Sequence, residues 1–316
     1  MTSPALLFTH SACLDHQTGR GHPERPERLQ SILQALRTSD FAEVGWREAP
    51  AASDGQLAGA HPEAFVGELM GVLPEKGLLM IDADTIVSPG SKEAARRAAG
   101  ATIAAVDAVM AGEARTAFCA VRPPGHHAEP DRAMGFCLFN NVIVGACHAL
   151  ATHALQRVAV VDFDVHHGNG SEAAALQDPR LLYCSTHQSP LYPGTGLGNS
   201  PAHPNVVNAP LPPGAGSAEF RAAMRDLVLP ALRRFKPDLL MISAGFDAHL
   251  RDPLAQLRLV EDDYAWATLE LAQAAGVSAK GRVVSTLEGG YDLQALAASA
   301  AAHVQALMAL GREGAI

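Results

Sequence analysis

Short apolar runs alternate along the chain with longer alanine-rich segments. Continuous runs of aliphatic and β-branched residues are typical of parallel strands buried on both faces. The predicted strands are Leu6–Thr9, Ala117–Val121, Val158–Asp162, Leu181–Ser185, Leu239–Ser243 and Val283–Leu287. The predicted helices are Pro26–Arg37, Ser91–Ala111, Asn140–Leu155, Ala218–Phe235, Asp262–Ala275 and Leu293–Leu310. This alternation predicts an α/β protein with a mostly parallel central sheet and helices on both faces.

No low-complexity linker and no internal repeat divides the chain. Residues 190–216 are rich in proline and glycine, but they include Tyr192 and the run Val206–Leu211. Such a segment favours an ordered, functional loop over a tether. We therefore expect a single catalytic domain over residues 1–316.

Composition narrows the classes of function. Hydrophobic residues make up 48% of the chain and charged residues 18%, which permits a sizeable core. The formal net charge of −9, without a Lys/Arg cluster, argues against a nucleic-acid-binding surface. The five cysteines lack paired metal spacing and are typical of free thiols in a reducing compartment. Without a signal peptide or an apolar stretch near the ~20 residues of a membrane span, we expect a cytoplasmic protein with no membrane partner.

Polar clusters follow four of the predicted strands at the point where each strand ends. They are Arg122–His127, Asp162–Gly170, Ser243–Asp247 and Glu288–Tyr291. Ligands of open parallel sheets gather outside the carboxyl ends of the strands. The four clusters therefore predict one shared site.

The second cluster has the residue types of a metal site. Asp162, Asp164 and His166 alternate along the chain, so they project to one side of an extended segment. Two carboxylates on one side repel each other unless a cation lies between them. Carboxylate and imidazole suit Zn²⁺ or Fe²⁺, and Asp247 offers a third ligand, which leaves a position open for water. The alternative, a solvated turn with capping carboxylates, explains neither the following His-His-Gly-Asn-Gly sequence nor Asp247.

Two further clusters carry groups suited to proton transfer. His126 and His127 follow Pro-Pro-Gly, which stiffens the backbone and then turns it. Histidine is well matched to proton transfer near neutral pH, although such a pair also fits a surface turn or zinc ligation. Glu288-Gly289-Gly290-Tyr291 is an ordinary turn when taken alone. Beside the other clusters, its glycines would let the backbone come close to a ligand, and the Tyr291 hydroxyl would donate a hydrogen bond to that ligand.

Together these motifs resemble the histone deacetylase family, specifically its class II and bacterial amidohydrolase branch, which is related to acetylpolyamine amidohydrolases. The resemblance is carried by Gly21–Arg28, Arg122–Ala128, Gly135–Asn141, Asp162–Gly170, Tyr192–Gly196, Ser243–Asp247 and Glu288–Tyr291. It implies the arginase/deacetylase fold in a single domain. It also implies a zinc-dependent amidohydrolase that removes acetyl or other acyl groups from amines on an alkyl stem.

The resemblance implies roles residue by residue. The positions that match zinc ligands, with Fe²⁺ as an alternative metal, are Asp164, His166 and Asp247. Those that match catalytic groups are His126, His127, Tyr291, Asp162 and Asn169. Asp162 matches the carboxylate that orients the first histidine, and Asn169 stands where class I enzymes have Asp. Those that match the substrate tunnel are Gly135, Phe136, Tyr192 and Leu254. Those that match a structural K⁺ or Na⁺ site are Asp162, Asp164, His166, Ser185 and Thr186.

Two other functions fit parts of the sequence. Arginase or agmatinase chemistry on this fold needs extra carboxylates for a second metal ion, and Gly168 and His249 occupy those positions. A catalytically dead module that binds acylated lysine is expected to lack a metal ligand, a paired histidine or the tyrosine. All of these residues are present, so we expect an active enzyme.

The substrate has two candidates. Polyamine deacetylases of the class II branch carry a gatekeeper glutamate at the position of Leu254, and leucine cannot attract an inner ammonium group. We therefore expect acyl-lysine in proteins or peptides, with acetylpolyamines as the alternative. The sequence is compatible with a homo-oligomer.

Overall fold

The central sheet has eight strands, and every neighbouring pair runs parallel. This computed structural model describes residues 3–312, so residues 1–2 and 313–316 of the predicted domain lie outside the described residues. The sheet comprises β1 Leu6–Thr9, β2 Gly45–Glu48, β5 Thr116–Cys119, β6 Val158–Asp162, β7 Leu181–Gln188, β8 Val206–Leu211, β9 Leu239–Ala244 and β10 Val283–Leu287. Their order is β2-β1-β5-β10-β9-β6-β7-β8. A separate antiparallel pair comprises β3 Leu79–Met80 and β4 Ile86–Val87.

Helices cover both faces of the sheet. They are α1 Pro26–Ala35, α2 Asp54–Leu57, α3 Glu63–Val72, α4 Ser91–Met110, α5 Asn141–Thr152, α6 Asn169–Gln177, α7 Ser217–Ala223, α8 Leu229–Phe235, α9 Glu261–Ala279 and α10 Leu293–Arg312. Short 3₁₀ turns lie at Ser11–Leu14 and Ser39–Phe41. Helices α1, α9 and α10 pack together on one face, and α4 and α5 pack together on the other. The predicted α/β fold is therefore confirmed.

The apolar strands form the centre of the core. Every residue of β5, β6, β7, β9 and β10 is buried. Burial on both faces explains why these strands have continuous apolar sequences rather than alternating ones. The same packing fixes the carboxyl ends of the strands at one edge of the sheet.

Both edge strands were missed by the hydrophobic pattern. The sequence of β2 is Gly-Trp-Arg-Glu, and its two last residues are exposed. The run Val206–Leu211 was predicted to lie in an ordered loop, but it forms β8 and pairs with β7. Edge strands contact fewer neighbours, so their composition need not be strongly apolar. The elements α2, α3, α6, β3 and β4 were missed as well.

The predicted helix Ala218–Phe235 is interrupted by a π-helical turn. The turn spans Met224–Val228 and separates α7 from α8. Pro230 lies in the first turn of α8, where it has no N–H to donate to the preceding turn. The widened turn accommodates this missing hydrogen bond.

Helix α10 corrects the expectation that no apolar stretch approaches membrane-spanning length. Among residues 3–312, the helix Leu293–Arg312 is long and apolar enough to cross a membrane, judged by length and composition only. Its mean hydropathy is 1.4. Half of that stretch is buried inside the protein, where the helix packs against α1, α9 and β5. Its many alanines count as apolar, and they also permit this close packing.

Candidate active site

The four polar clusters converge because their strands are neighbours in the sheet. They follow β5, β10, β9 and β6, which are adjacent in that order. These strands are far apart in the sequence, from β5 at residue 116 to β10 at residue 283. Because all four strands are parallel, their carboxyl ends meet at one edge, as open α/β sheets require for a ligand site.

Asp164, His166 and Asp247 form a buried cluster of metal-binding groups. One ligand atom from each residue lies within 4.8 Å of the others. The Nδ1 atom of His166 is 3.1 Å from Oδ1 of Asp164 and 3.1 Å from Oδ2 of Asp247. Two carboxylate oxygens and one imidazole nitrogen are ligands that Zn²⁺ accepts.

Backbone groups hold the two carboxylates in this position. The N–H of Gly289 donates to Oδ2 of Asp164 at 2.8 Å, and the N–H of Val165 donates to Oδ1 of Asp247 at 2.8 Å. A Cβ atom at Gly289 would lie 2.0 Å from the Asp247 carboxylate, and one at Gly245 would lie 2.0 Å from the Asp164 carboxylate. Only glycine fits at either position, because any side chain would displace a carboxylate.

The charges of this cluster depend strongly on one another. Burial disfavours a charged imidazole, but hydrogen bonds to Asp164 and Asp247 raise the pKa of His166 to about 10. Burial and the neighbouring Asp164 carboxylate raise the pKa of Asp247. Burial also opposes the charge of Asp164, but His126 and His166 lower its pKa overall. The site therefore attracts positive charge, as a cation site should.

The paired histidines have different partners. Oδ2 of Asp162 lies 2.9 Å from Nδ1 of His126, and the Tyr183 hydroxyl donates to the same oxygen at 3.1 Å. Oδ1 of Asn169 lies 2.9 Å from Nδ1 of His127. The two imidazole centroids are 4.1 Å apart. One histidine thus faces a carboxylate and the other faces a neutral amide.

These partners separate the protonation behaviour of the two rings. Burial lowers the pKa of His126, but the carboxylates of Asp164 and Asp162 raise it well above its usual range. Burial and the neighbouring His126 and His166 hold the pKa of His127 well below its usual range. The neutral Asn169 amide cannot compensate in the way a carboxylate does.

Aromatic rings surround the approach to the cluster. The ring of Tyr192 lies 5.1 Å from His127 and 6.3 Å from His166, and the ring of Phe136 lies 6.0 Å from Tyr291. Tyr192 is 38% exposed, whereas Tyr291 is only 9% exposed, so the rings extend from the surface inward. A Cβ atom at Gly135 would lie 2.5 Å from the His127 ring, which requires glycine there.

Phe136 is held in a left-handed backbone conformation, with φ of 67°. Two residues between β3 and β4, Asp84 and Thr85, stabilise this turn, and neither was identified from the sequence. Oδ1 of Asp84 accepts a hydrogen bond from the Gly135 N–H, and Oγ1 of Thr85 accepts one from the Phe136 N–H, both at 3.1 Å. No recognisable sequence signal pointed to this pair, because the hydrogen bonds join segments 51 residues apart.

Leu254 lies next to the tyrosine loop. It is partly buried, and its N–H donates to Oδ1 of Asp252 at 2.9 Å. The other oxygen of Asp252 accepts from the Tyr291 N–H at 2.7 Å. Burial and the Asp247 carboxylate raise the pKa of Asp252 to about 7. Asp252 thus holds the backbones of Leu254 and Tyr291 together, a role that its Asp-Pro sequence did not reveal.

The residues expected around a monovalent cation lie beside the cluster. Ser185 pairs with Asp162 in the register of β6 and β7. The Ser185 hydroxyl lies 2.9 Å from Nδ1 of His187, and Oγ1 of Thr186 is buried without a hydrogen-bond partner among residues 3–312. Both residues are therefore close to Asp162 at the same edge of the sheet.

Gly168 and His249 occupy the positions where arginase chemistry needs carboxylates for a second metal ion. A Cβ atom at Gly168 would lie 2.5 Å from Oδ2 of Asp162 and 3.0 Å from Nδ1 of His126. Nε2 of His249 is 3.5 Å from a carboxylate oxygen of Glu261. Gly168 thus permits the contact between Asp162 and His126, and neither position adds a carboxylate to the site.

A buried charged network supports the strand-end loops. Oε2 of Glu288 accepts hydrogen bonds from the N–H groups of Gly125 at 2.7 Å and His126 at 3.1 Å. Burial chiefly raises the pKa of Glu288 to about 7. Arg28 donates to the Gly290 carbonyl at 2.6 Å, and its guanidinium lies 4.8 Å from the Tyr291 ring centroid.

Glu24 joins Arg28 to a second arginine. Its Oε1 accepts from Nη1 of Arg28 at 3.2 Å, and its Oε2 accepts from Nη2 of Arg122 at 2.7 Å. All three side chains are fully buried. The segment Gly21–Arg28 belonged to the resemblance, but only the structure reveals that it braces the histidine and tyrosine loops.

Comparisons with known proteins agree with this arrangement. The model of the histone deacetylase domain matches residues 22–307. A histone deacetylase-like amidohydrolase of Pseudomonas aeruginosa is 40% identical over 92% of this chain and 83% of its own length. The chloroplastic histone deacetylase 14 of Arabidopsis thaliana is 37% identical over 96% of this chain and 76% of its own length.

A solved structure extends the agreement to the fold. The HD domain of HDA15 superposes with a TM-score of 0.90 and 33% sequence identity, covering 98% of this chain and 89% of that one. This confirms both the predicted arginase/deacetylase fold and the resemblance on which it was based. With its domain match, its relatives and its fold in agreement, this chain belongs to the histone deacetylase family.

Proposed function

We propose that the chain is a zinc-dependent deacylase that hydrolyses the amide between an acyl group and an amine on an alkyl stem. The observation that carries this proposal is the buried cluster of Asp164, His166 and Asp247 beside the histidine pair. A hydrolase needs an electrophilic centre next to a proton acceptor, and this edge of the sheet offers ligands for the first and imidazoles for the second.

Asp164, His166 and Asp247 would hold the ion, with Fe²⁺ as an alternative to Zn²⁺. The fit rests on the ligand types, on the approach of both carboxylates to one imidazole nitrogen, and on the glycines that leave space for them. When bound, such an ion polarises a substrate carbonyl and makes water more acidic.

His127 accepts the proton of the attacking water in this proposal. Its Nδ1–H can donate to the Asn169 amide oxygen, which leaves the Nε2 lone pair free. His126 faces the Asp162 carboxylate, which favours an imidazolium that stabilises negative charge nearby. The proton held by the histidine pair then passes to the leaving amine.

The Tyr291 hydroxyl donates a hydrogen bond to the oxyanion of the tetrahedral intermediate. The Asp252 carboxylate and the Arg28 guanidinium hold its loop, so the hydroxyl needs little rearrangement during the reaction. The rings of Phe136 and Tyr192 enclose the alkyl stem of the substrate, because aromatic walls suit a slender apolar chain.

Acyl-lysine in proteins or peptides is the proposed substrate, and an acetylpolyamine is the alternative. Leu254 supplies no charge beside the Tyr291 loop, whereas an inner ammonium group of a polyamine would favour a carboxylate there. The name of the Pseudomonas relative, an amidohydrolase, fits either substrate.

The remaining assignments complete the proposal. A K⁺ or Na⁺ ion would lie at Asp162, Asp164, His166, Ser185 and Thr186. The reducing environment suggested by free cysteines favours the cytoplasm, although one relative is named as chloroplastic. We propose no nucleic-acid or membrane partner, and a homo-oligomer is compatible with the function.

The test compares metal content with turnover. Asp164→Ala, His166→Ala and Asp247→Ala should each hold one zinc ion fewer than the wild type and lose hydrolysis of an acetyl-lysine peptide, because each removes one of three ligands. Elemental analysis and acetate release measure the two effects. Undiminished zinc in all three variants would refute the metal assignment.

Tyr291→Phe is the matched control. It should retain zinc and bind a hydroxamate inhibitor, because the hydroxyl is not a ligand. Its kcat should fall by about 10²–10³, the usual cost of losing one oxyanion donor. A kcat near that of the wild type would place Tyr291 outside the reaction centre.

A further inference from the structure

A second group of metal-binding side chains lies at the opposite edge of the sheet. Asp107 is in the last turn of α4, His148 is in α5, and His153 follows the last residue of α5. These helices lead into β5 and β6, so their carboxyl ends lie near the amino ends of the strands. The candidate active site is at the carboxyl ends, which makes this group a separate one.

The three side chains converge on one point. Oδ1 of Asp107 is 2.7 Å from Nε2 of His148 and 2.7 Å from Nε2 of His153. One ligand atom from each residue lies within 4.8 Å of the others. A tetrahedral zinc ion separates its ligand atoms by roughly 3.3 Å, so small side-chain rotations would admit one.

The orientation of His148 suits a metal ligand. Its Nδ1 lies 3.2 Å from the hydroxyl of Thr152, which can accept a hydrogen bond from Nδ1–H. That tautomer leaves the Nε2 lone pair pointing at Asp107. Metal-binding histidines are commonly oriented by a hydrogen bond from the other ring nitrogen.

The surroundings favour a cation that solvent can reach. The site lies beside the carboxyl ends of both α4 and α5, where the helix dipoles attract positive charge. The side chain of Asp107 is 50% exposed, and those of His148 and His153 are 13% and 24% exposed. Water can therefore complete the coordination.

We propose that Asp107, His148 and His153 bind a second divalent transition-metal ion, such as Zn²⁺, which links the carboxyl ends of α4 and α5. Two imidazoles and one carboxylate from two elements form the ligand set. Without the ion, the half-exposed Asp107 carboxylate contacts the two imidazoles directly, and such contacts at a surface contribute little stability. The proposal stands independently of the function proposed for the active site.

The experiment counts zinc ions per chain after dialysis of the full protein against buffered, low-micromolar free Zn²⁺. The wild type should hold two ions, and the His148→Ala/His153→Ala variant should hold one. Asp247→Ala, which lacks an active-site ligand, should retain the surface ion. His203→Ala serves as the control, because His203 is an exposed histidine outside the group, and it should hold two ions.

Thermal unfolding provides a second measurement. Added Zn²⁺ should raise the Tm of Asp247→Ala, and this rise should vanish when His148→Ala and His153→Ala are combined with it. Equal zinc content in the wild type and the double variant would overturn the proposal. If Asp247→Ala lost no zinc while the double variant lost one ion, the active-site assignment would fail and the surface site would stand.

Discussion

The carboxylates of Asp164 and Asp247 leave no room for side chains on the backbone that faces them. Gly245 and Gly289 come from two different strand ends, and a Cβ atom at either would lie 2.0 Å from a carboxylate atom. At Gly289 the close approach also brings an N–H within 2.8 Å of Asp164. The glycines of these motifs therefore do more than allow the chain to turn. They leave space for the two carboxylates and so help to fix their positions.

At the residue scale, position 254 is expected to influence the choice between substrates. Leu254→Glu should improve kcat/KM for acetylspermidine relative to a neutral acetyl-lysine peptide. A carboxylate about 4 Å from an ammonium gains ~1 kcal/mol in water and up to ~4 kcal/mol near a protein surface. After screening and side-chain ordering, we expect a shift of roughly five- to fifty-fold in the ratio.

Leu254→Gln is the control for this substitution, because it has nearly the same shape as glutamate without the charge. Both variants should be measured on both substrates, with zinc content and a melting curve for each preparation. An unchanged ratio in a folded, zinc-loaded Leu254→Glu protein would contradict the proposed preference for acyl-lysine.

At the scale of elements, a buried histidine joins α10 to its neighbours. Nδ1 of His303 lies 2.6 Å from the Thr268 hydroxyl in α9, and Nε2 lies 2.8 Å from the Ser285 hydroxyl in β10. The rings of Phe118 and Phe163 lie 5.5 and 5.9 Å away. Burial lowers the pKa of His303 to about 3. The histidine is therefore neutral in the folded protein.

This neutrality makes stability dependent on pH. Below its ordinary pKa of about 6.5, His303 binds a proton in the unfolded chain but not in the folded one. The free energy of unfolding should therefore decrease as the pH falls from about 6.5 towards 3, by up to ~1.4 kcal/mol per pH unit. In the His303→Gln variant, unfolding should take up as much as one proton fewer, so the slope of unfolding free energy against pH should decrease by up to ~1.4 kcal/mol per pH unit.

Urea unfolding of both proteins between about pH 7 and pH 5 measures the slopes. The comparison uses slopes, so a constant loss of stability in the variant does not affect it. Other buried histidines contribute equally to both proteins. Identical slopes would show that His303 is already able to bind a proton in the folded state.

At the scale of the whole molecule, the active-site ion should stabilise the fold. The cluster brings two buried carboxylates to one imidazole, from the carboxyl ends of β6 and β9. An ion that binds only the folded protein adds ~4 kcal/mol when its concentration is 1,000-fold above Kd. Chelation should therefore lower the Tm of the wild type.

The measurement is best made with the His148→Ala/His153→Ala protein, so that the surface group does not contribute. The same protein with Asp247→Ala added is the control, and chelator should leave its Tm unchanged. Equal Tm values with and without chelator in the first protein, at verified zinc removal, would argue against an ion held by this cluster.

The hydrophobic pattern determined most of the fold because buried parallel strands leave a local signature. The strands at the centre of the sheet and most helices covering it could be predicted within a few residues. The edge strand β2 could not, since its exposed positions accept polar residues. The edge strand β8 could not either, because it contains Asn208 and Pro210 and lies within a segment rich in proline and glycine. The π-helical turn near Pro230 was also missed, because it interrupts a pattern that stays helical on both sides.

The sequence by itself also determined which residues could perform chemistry, because ligands and proton-transfer groups follow strand ends in recognisable motifs. Only the tertiary structure decided their arrangement. The order β5-β10-β9-β6 brings Asp164 to Asp247, and the buried Glu24 joins Arg28 to Arg122. Asp107 likewise meets His148 and His153 only through the packing of α4 on α5. Pairing between distant strands and helices depends on the burial of the whole chain, and no local pattern specifies it.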